Sequence, residues 1–325
     1  MGSYYLMPLK KLPLQSVESR LHGYTRRLRQ ELRAKGLSFS FHLWVSDEWF
    51  CPDGVPGIAM PFYLFHPDLM NIERNEMGWV EGESESDRMR LLRHELGHCI
   101  DNAFRLRRNQ ERQSLFGPST LDYPESYFPK PYSRAFVDYL GDHYSQSHPD
   151  EDFAETFALW LDPDCRWRDR YQGTKAYEKL LFMDELMASL KGRSGFLKNQ
   201  FRIDPVEKLN QTLRAHYKER HRQRSASQDR LEQEILRFFS PIAGKPNPIS
   251  VGDYLKKERR ELCRQLAERM GAYQYMVEFA VDRTIERAKS LNIHGTKEQL
   301  EHKTPLLIER NFRYLLENQQ IKYYL

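Results

Sequence analysis

The chain begins with a pattern of helical period. Residues 16 to 35 set apolar side chains at turn spacing among many basic ones, which predicts an amphipathic helix with Ser16 as N-cap and Gly36 just past its end. The period then changes to two. Phe39, Phe41, Leu43 and Val45 alternate through Ser38 to Val45, and this marks a strand. Pro52-Asp53-Gly54 is turn chemistry. The apolar run Val55 to Leu64 that follows carries Pro56 and Pro61, which suits an edge strand, with an edge free to take an extended peptide.

From Asp87 to about Arg108 the spacing is helical again, with Leu92, Leu96, Cys99, Ile100, Ala103 and Phe104 on one broad face. Residues 109 to 147 are rich in Gly and Pro and read as an irregular excursion with a short helix near Ser133 to Leu140. Pro149 opens the next helix, which runs through Phe153, Phe157 and Leu161 and stops near Pro163. Arg214 to Arg230 is polar and Arg-rich, the signature of a solvated helix end and linker. Beyond it, helices are expected near Asp229 to Phe239, Ser250 to Met270, Ala272 to Ser290 and Pro305 to Glu317.

Composition narrows the classes. With 325 residues, 40% hydrophobic and 13% aromatic, the chain has enough apolar surface to fold. A net charge of +4 calls for neither nucleic acid nor anionic lipid as a specific partner. Cys51, Cys99, Cys165 and Cys263 form no CxxC pair, no signal peptide is apparent, and no apolar run reaches a spanning length. The expectation is a soluble, cytoplasmic protein that does not engage a membrane.

The chemistry concentrates in Arg93-His94-Glu95-Leu96-Gly97-His98, an HExxH sequence. On a helix, His94 and His98 sit one turn apart and aim at one point, as two imidazole ligands of zinc must. Glu95 is rotated by about 100° from His94, so it would stand beside the metal-bound water and take its proton. A chain with 11 His holds far less than one such motif by chance, and this copy lies inside a clearly amphipathic helix.

A catalytic zinc needs a third protein ligand and one open position. On a helix starting at Pro149, Glu151 and Glu155 share a face, and two stacked acids repel unless a cation or hydrogen-bond donors absorb their charge. Either could be the ligand. His143 and His148 are rivals, although His148 just before Pro149 also reads as a helix N-terminal residue. Asp101, three residues after His98, and Glu155 could each orient a ligand imidazole. Asp101 could equally cap or solvate its helix. Tyr144, on residue pattern alone, reads as a core tyrosine.

Leu43 to Tyr217 resembles the bacterial "putative zinc-binding metallopeptidase" family. The resemblance is carried by Val45-Ser46-Asp47-Glu48-Trp49-Phe50, Pro52 to Gly57, Leu92 to Asp101 and Ser147 to Leu161. Many members start with a Cys-rich zinc ribbon that has no counterpart here, so its function is not carried over. A more distant similarity, Tyr-x6-Glu-x3-Glu after HExxH, is to the catalytic domain of anthrax lethal factor. It implies that Tyr144 faces the reacting centre, Glu151 binds zinc and Glu155 supports.

These resemblances imply an α+β, predominantly helical fold. A zincin-like (gluzincin) catalytic domain with a small N-terminal β-sheet would occupy 1–222, and the helical spacing beyond it predicts a helical C-terminal region over 223–325. The expected activity is a Zn2+ metallopeptidase. His94, His98 and Glu151 would hold the metal, Glu95 and Tyr144 would act in catalysis, and Asp101 and Glu155 would lie behind the ligands. The substrate would be a peptide or protein. Two other readings stay open: a zinc amidohydrolase acting on a non-peptide or modified-peptide amide, and a metal-stabilised interaction protein without turnover. In the last, a protein partner would use the C-terminal helices, where Phe238-Phe239, Tyr273-Gln274-Tyr275 and Tyr323-Tyr324 cluster.

Overall fold

The computed structural model describes residues 3–123, 130, 133–141, 143–239, 248–270, 272 and 274–317; the side chains of 223–230, 233, 316 and 317 are outside the description. The fold is α+β and mostly helical. The described residues up to Tyr217 form one compact unit, and those from Lys218 onward form a second. No helix among the described residues is long and apolar enough to cross a membrane.

In the first unit, α1 (Val17–Ala34) buries Tyr24, Leu28 and Leu32. Ser16 precedes it in the left-handed region and makes no side-chain cap, against expectation. Its carbonyl accepts from the Arg20 N–H instead. Gly36 (φ 78°) closes the helix, and the Gly36 and Leu37 N–H groups return to the carbonyls of Arg33 and Leu32. β1 (His42–Ser46) and β2 (Gly57–Pro61) form a two-stranded parallel pair, with His42 opposite Gly57 and Ser46 opposite Pro61. β1 is shorter than the alternation suggested, because Phe39 and Phe41 are buried ahead of the ladder. β2 is buried throughout, and its Ala59 N–H donates to the Phe50 carbonyl at 2.9 Å. Its other edge is therefore partly taken, which corrects the idea of an edge free for a peptide.

Helix α2 (Pro67–Met77) was not foreseen. It starts at Pro67 behind His66, whose Nδ1 accepts from the Asp68 N–H at 3.1 Å, and ends at Gly78 (φ 87°). α3 (Glu85–Phe104) is capped by Ser84, which accepts from the Asp87 N–H at 3.0 Å. α4 (Gln110–Phe116) lies within the excursion expected to be irregular, and residues 133–140 form bends rather than a short helix. α5 (Pro149–Leu161) runs as expected, and α6 (Trp167–Tyr171) and α7 (Lys175–Ser189) follow.

α8 (Leu213–Phe238) continues unbroken through the Arg-rich stretch that suggested a linker. The division at Tyr217/Lys218 falls inside it. A charged segment can be helical wherever its residues are good helix formers, so polarity alone is a poor sign of a break.

The second unit packs α8 residues such as Leu231 and Ile235 with α9 (Val251–Met270), α10 (Gln274–Ser290) and α11 (Lys297–Glu317) around their own core. β3 (Ile249–Ser250) and β4 (His294–Gly295) make a two-residue antiparallel ladder. α11 begins well before the expected Pro305, because Thr296 and Gln299 cap its start reciprocally. Phe239 is buried, and Phe238 and Tyr275 are partly buried against the same core. Tyr273, Tyr323 and Tyr324 lie outside the described residues.

α3 and α5 touch backbone to backbone. A Cβ on Gly97 would lie 2.8 Å from the Ala154 Cα and 3.0 Å from its carbonyl oxygen. Gly97→Ala should therefore destabilise the first unit by about 1–3 kcal/mol through overpacking. Gly23→Ala in α1, where nothing lies within 4 Å, should instead stabilise by about 0.5–1 kcal/mol. Urea unfolding of the two variants beside the wild type measures both, and equal effects would contradict the close contact.

Candidate metal centre

The middle of α3 is buried on nearly every side. Leu92, Leu96, Cys99 and Ile100 face the apolar core, and His94, Glu95 and Gly97 are buried as well. α5 is stranger. Every residue from Asp150 to Leu161 is buried, and four of them are carboxylates. Buried carboxylates must be paired or hydrogen-bonded, or else stay neutral, and each of the four is answered differently.

Asp150 accepts from Arg112 at 2.8 Å and from Ser119 at 2.5 Å, with Arg107 at 3.0 Å. Burial alone would raise its pKa; these partners lower it instead. Asp152 meets the Lys179 ammonium at 2.5 Å, yet burial still pushes its carboxyl up to about 7. Glu155 accepts from the backbone N–H groups of Tyr139 (2.9 Å) and Leu140 (3.2 Å). Glu151 is the one that meets two imidazoles at once.

His94 Nε2 lies 3.0 Å from Glu151 Oε2, His98 Nε2 lies 3.3 Å from the same oxygen, and the two Nε2 atoms are 3.2 Å apart. This is the sole such trio of His, Cys, Asp and Glu donor atoms among the described residues. A tetrahedral zinc with bonds of about 2.0–2.1 Å sets its ligand atoms roughly 3.3–3.4 Å apart. The triangle therefore fits one ion, with a fourth corner left over.

The electrostatics point the same way. Burial would raise Glu151, but the His98 and His94 rings hold it well below the usual carboxylate range. Burial would lower both imidazoles; Glu151 and Glu155 lift His94 well above its ordinary value, and Glu151 lifts His98 to about 9. The pocket draws positive charge, which a divalent cation can supply in place of two ring protons.

The other expected residues fall as follows. Glu95 is buried on the same turn and, among the described residues, makes no hydrogen bond or ion pair. Burial raises its pKa, against the pull of His94 and His98. The Tyr144 ring is 37% exposed, with its centroid 5.7 Å from that of His94. Glu155 Oε1 stands 3.6 Å from His94 Nδ1, an ion-pair distance rather than a hydrogen bond.

Asp101 makes no hydrogen bond to His98 among the described residues. It accepts from Arg112 at 2.6 Å, with Arg107 at 3.6 Å, because two guanidinium groups outcompete one imidazole N–H for a buried carboxylate. Neither His143 nor His148 joins the trio. His143 precedes a short 3-10 turn at φ 59°, and His148 caps α5 by accepting from the Asp150 N–H at 3.1 Å.

Tyr123 escaped the sequence reading. Its hydroxyl donates to Glu151 Oε1 at 2.8 Å, and its ring stacks on His148 with centroids 3.8 Å apart and planes inclined by 14°. The residue is 54% exposed and sits in the excursion, where no periodicity marks which side chains reach the site.

Comparison with known proteins returns no match among curated proteins and none among solved structures. Residues 82–176, which span α3, the excursion and α5 and so contain all three donor residues, do match a family model. The description of that family is "Putative zinc-binding metallo-peptidase", and the likeness covers that segment of the chain.

Proposed function

We propose that the chain is a zinc-dependent metallopeptidase in which His94, His98 and Glu151 hold the ion and Glu95 is the general base. The observation that carries this reading is the convergence of three buried donor atoms within 3.3 Å of one another. Zinc held there supplies Lewis acidity, polarising a carbonyl oxygen and lowering the pKa of water to about 7.

Glu95 is suited to its role by burial. A carboxylate raised from its ordinary value is a better proton acceptor near neutral pH, and it can pass the proton on to a leaving amine. With no competing hydrogen bond among the described residues, its carboxylate is available to a water. Tyr144 is proposed as the donor to the oxygen on which negative charge develops, since its ring stands over His94 and is open to solvent on one side. The proposed substrate is a peptide or protein.

Three outcomes follow. Zinc should raise the melting temperature of chelator-stripped protein, by about 4.1 kcal/mol of stabilisation at 1,000 times its dissociation constant. His98→Ala should abolish that shift, and a shift retained in the variant would place the metal elsewhere. Glu95→Gln should keep stoichiometric zinc but lose turnover by several orders of magnitude, read by proteomic cleavage profiling against the wild type. Identical cleavage profiles would remove Glu95 as the base, and zinc binding without any cleaved peptide in the wild type would count against a peptidase. Tyr144→Phe should lower kcat about 100- to 1,000-fold with zinc affinity unchanged, and an unaltered kcat would dismiss it as the oxyanion donor.

A further inference from the structure

Glu151 has two oxygens, and only one of them faces the histidines. Oε2 lies 3.0 Å from His94 Nε2 and 3.3 Å from His98 Nε2, while Oε1 accepts the Tyr123 hydroxyl at 2.8 Å. A glutamate free to rotate could turn both oxygens to an ion and occupy the corner that the substrate or water needs. We infer that Tyr123 is a positioning residue that keeps Glu151 a one-oxygen ligand and so holds the fourth coordination position open. The inference rests on the metal reading above.

The hydroxyl is itself held in place. His148 Nδ1 accepts from the Asp150 N–H, so its proton is on Nε2, which donates to the Leu121 carbonyl at 3.0 Å. One imidazole thus caps α5, ties down Leu121 and carries the Tyr123 ring on its face. Two residues earlier than Leu121, Ser119 donates to Asp150 Oδ1 at 2.5 Å and accepts from Arg112 Nη1 at 2.7 Å. Residues 119 to 123 are therefore fastened to the first turn of α5, the turn that bears Glu151.

Tyr123→Phe removes the hydroxyl and keeps the ring on His148. The zinc dissociation constant, measured by competition with a chromophoric chelator, should rise about 10- to 100-fold, the usual effect of losing a partner behind a metal ligand. In the cobalt-substituted protein the visible absorption should weaken as the ion gains a fifth ligand atom. The metal-free variant should keep the wild-type far-ultraviolet circular dichroism and a cooperative melt. Unchanged zinc affinity and an unchanged cobalt spectrum would overturn the inference, and so would lost kcat at unchanged affinity, which would put Tyr123 in the chemistry. Loss of the cooperative metal-free melt would make the hydroxyl a structural tie, also against it. Failure of the wild type to bind zinc would instead end the metal reading itself, so the two failures are distinguishable.

Discussion

The site exists because two helix backbones come closer than side chains normally permit. Gly97 lies between His94 and His98 on α3, and a Cβ there would stand 2.8 Å from the Ala154 Cα on α5. Glu151 and Glu155 are each within one turn of Ala154. A larger residue at either contact position would move the carboxylate away from both imidazoles together. The glycine between the histidines is thus a packing requirement of the His94–His98–Glu151 triangle, and the two helices that carry it are registered directly on each other.

Charge management on α5 is the second constraint. A helix whose residues are all buried from Asp150 to Leu161 should be apolar, yet Asp150, Glu151, Asp152 and Glu155 are inside. Arginines and a serine answer Asp150, Lys179 answers Asp152, and backbone amides of a bend answer Glu155. Once those three are satisfied locally, Glu151 is the one left facing two neutral-capable rings. Its neighbours' partners isolate it for a cation, and Arg112 and Arg107 take Asp101 out of contention as well.

How much of this could be read from residues alone depended on how local the determining physics is. The paired histidines were legible, because spacing of four on a helix has only one geometric meaning. The choice of Glu151 over Glu155 was not, since both share a face; it turns on the Tyr139 and Leu140 amides, which belong to a bend without a sequence signature. Asp101 was misread because its partner Arg112 is brought in by the unforeseen α4. Tyr123 was invisible for a similar reason, its direction being set by His148 and Leu121 rather than by any period. The Arg-rich stretch of α8 shows the converse error, in which local polarity suggested a break and helix propensity prevailed.

α3 and α5 dock directly on each other at Gly97 and Ala154, and the long excursion between them adds ties of its own. Among the described residues, Arg112, Ser119 and Tyr123 of the excursion hold the first turn of α5, and the Tyr139 and Leu140 amides hold Glu155 one turn further on. A change of length or sequence in the excursion would have to respect all of those ties at once, so it frames the site as well as connecting its two helices.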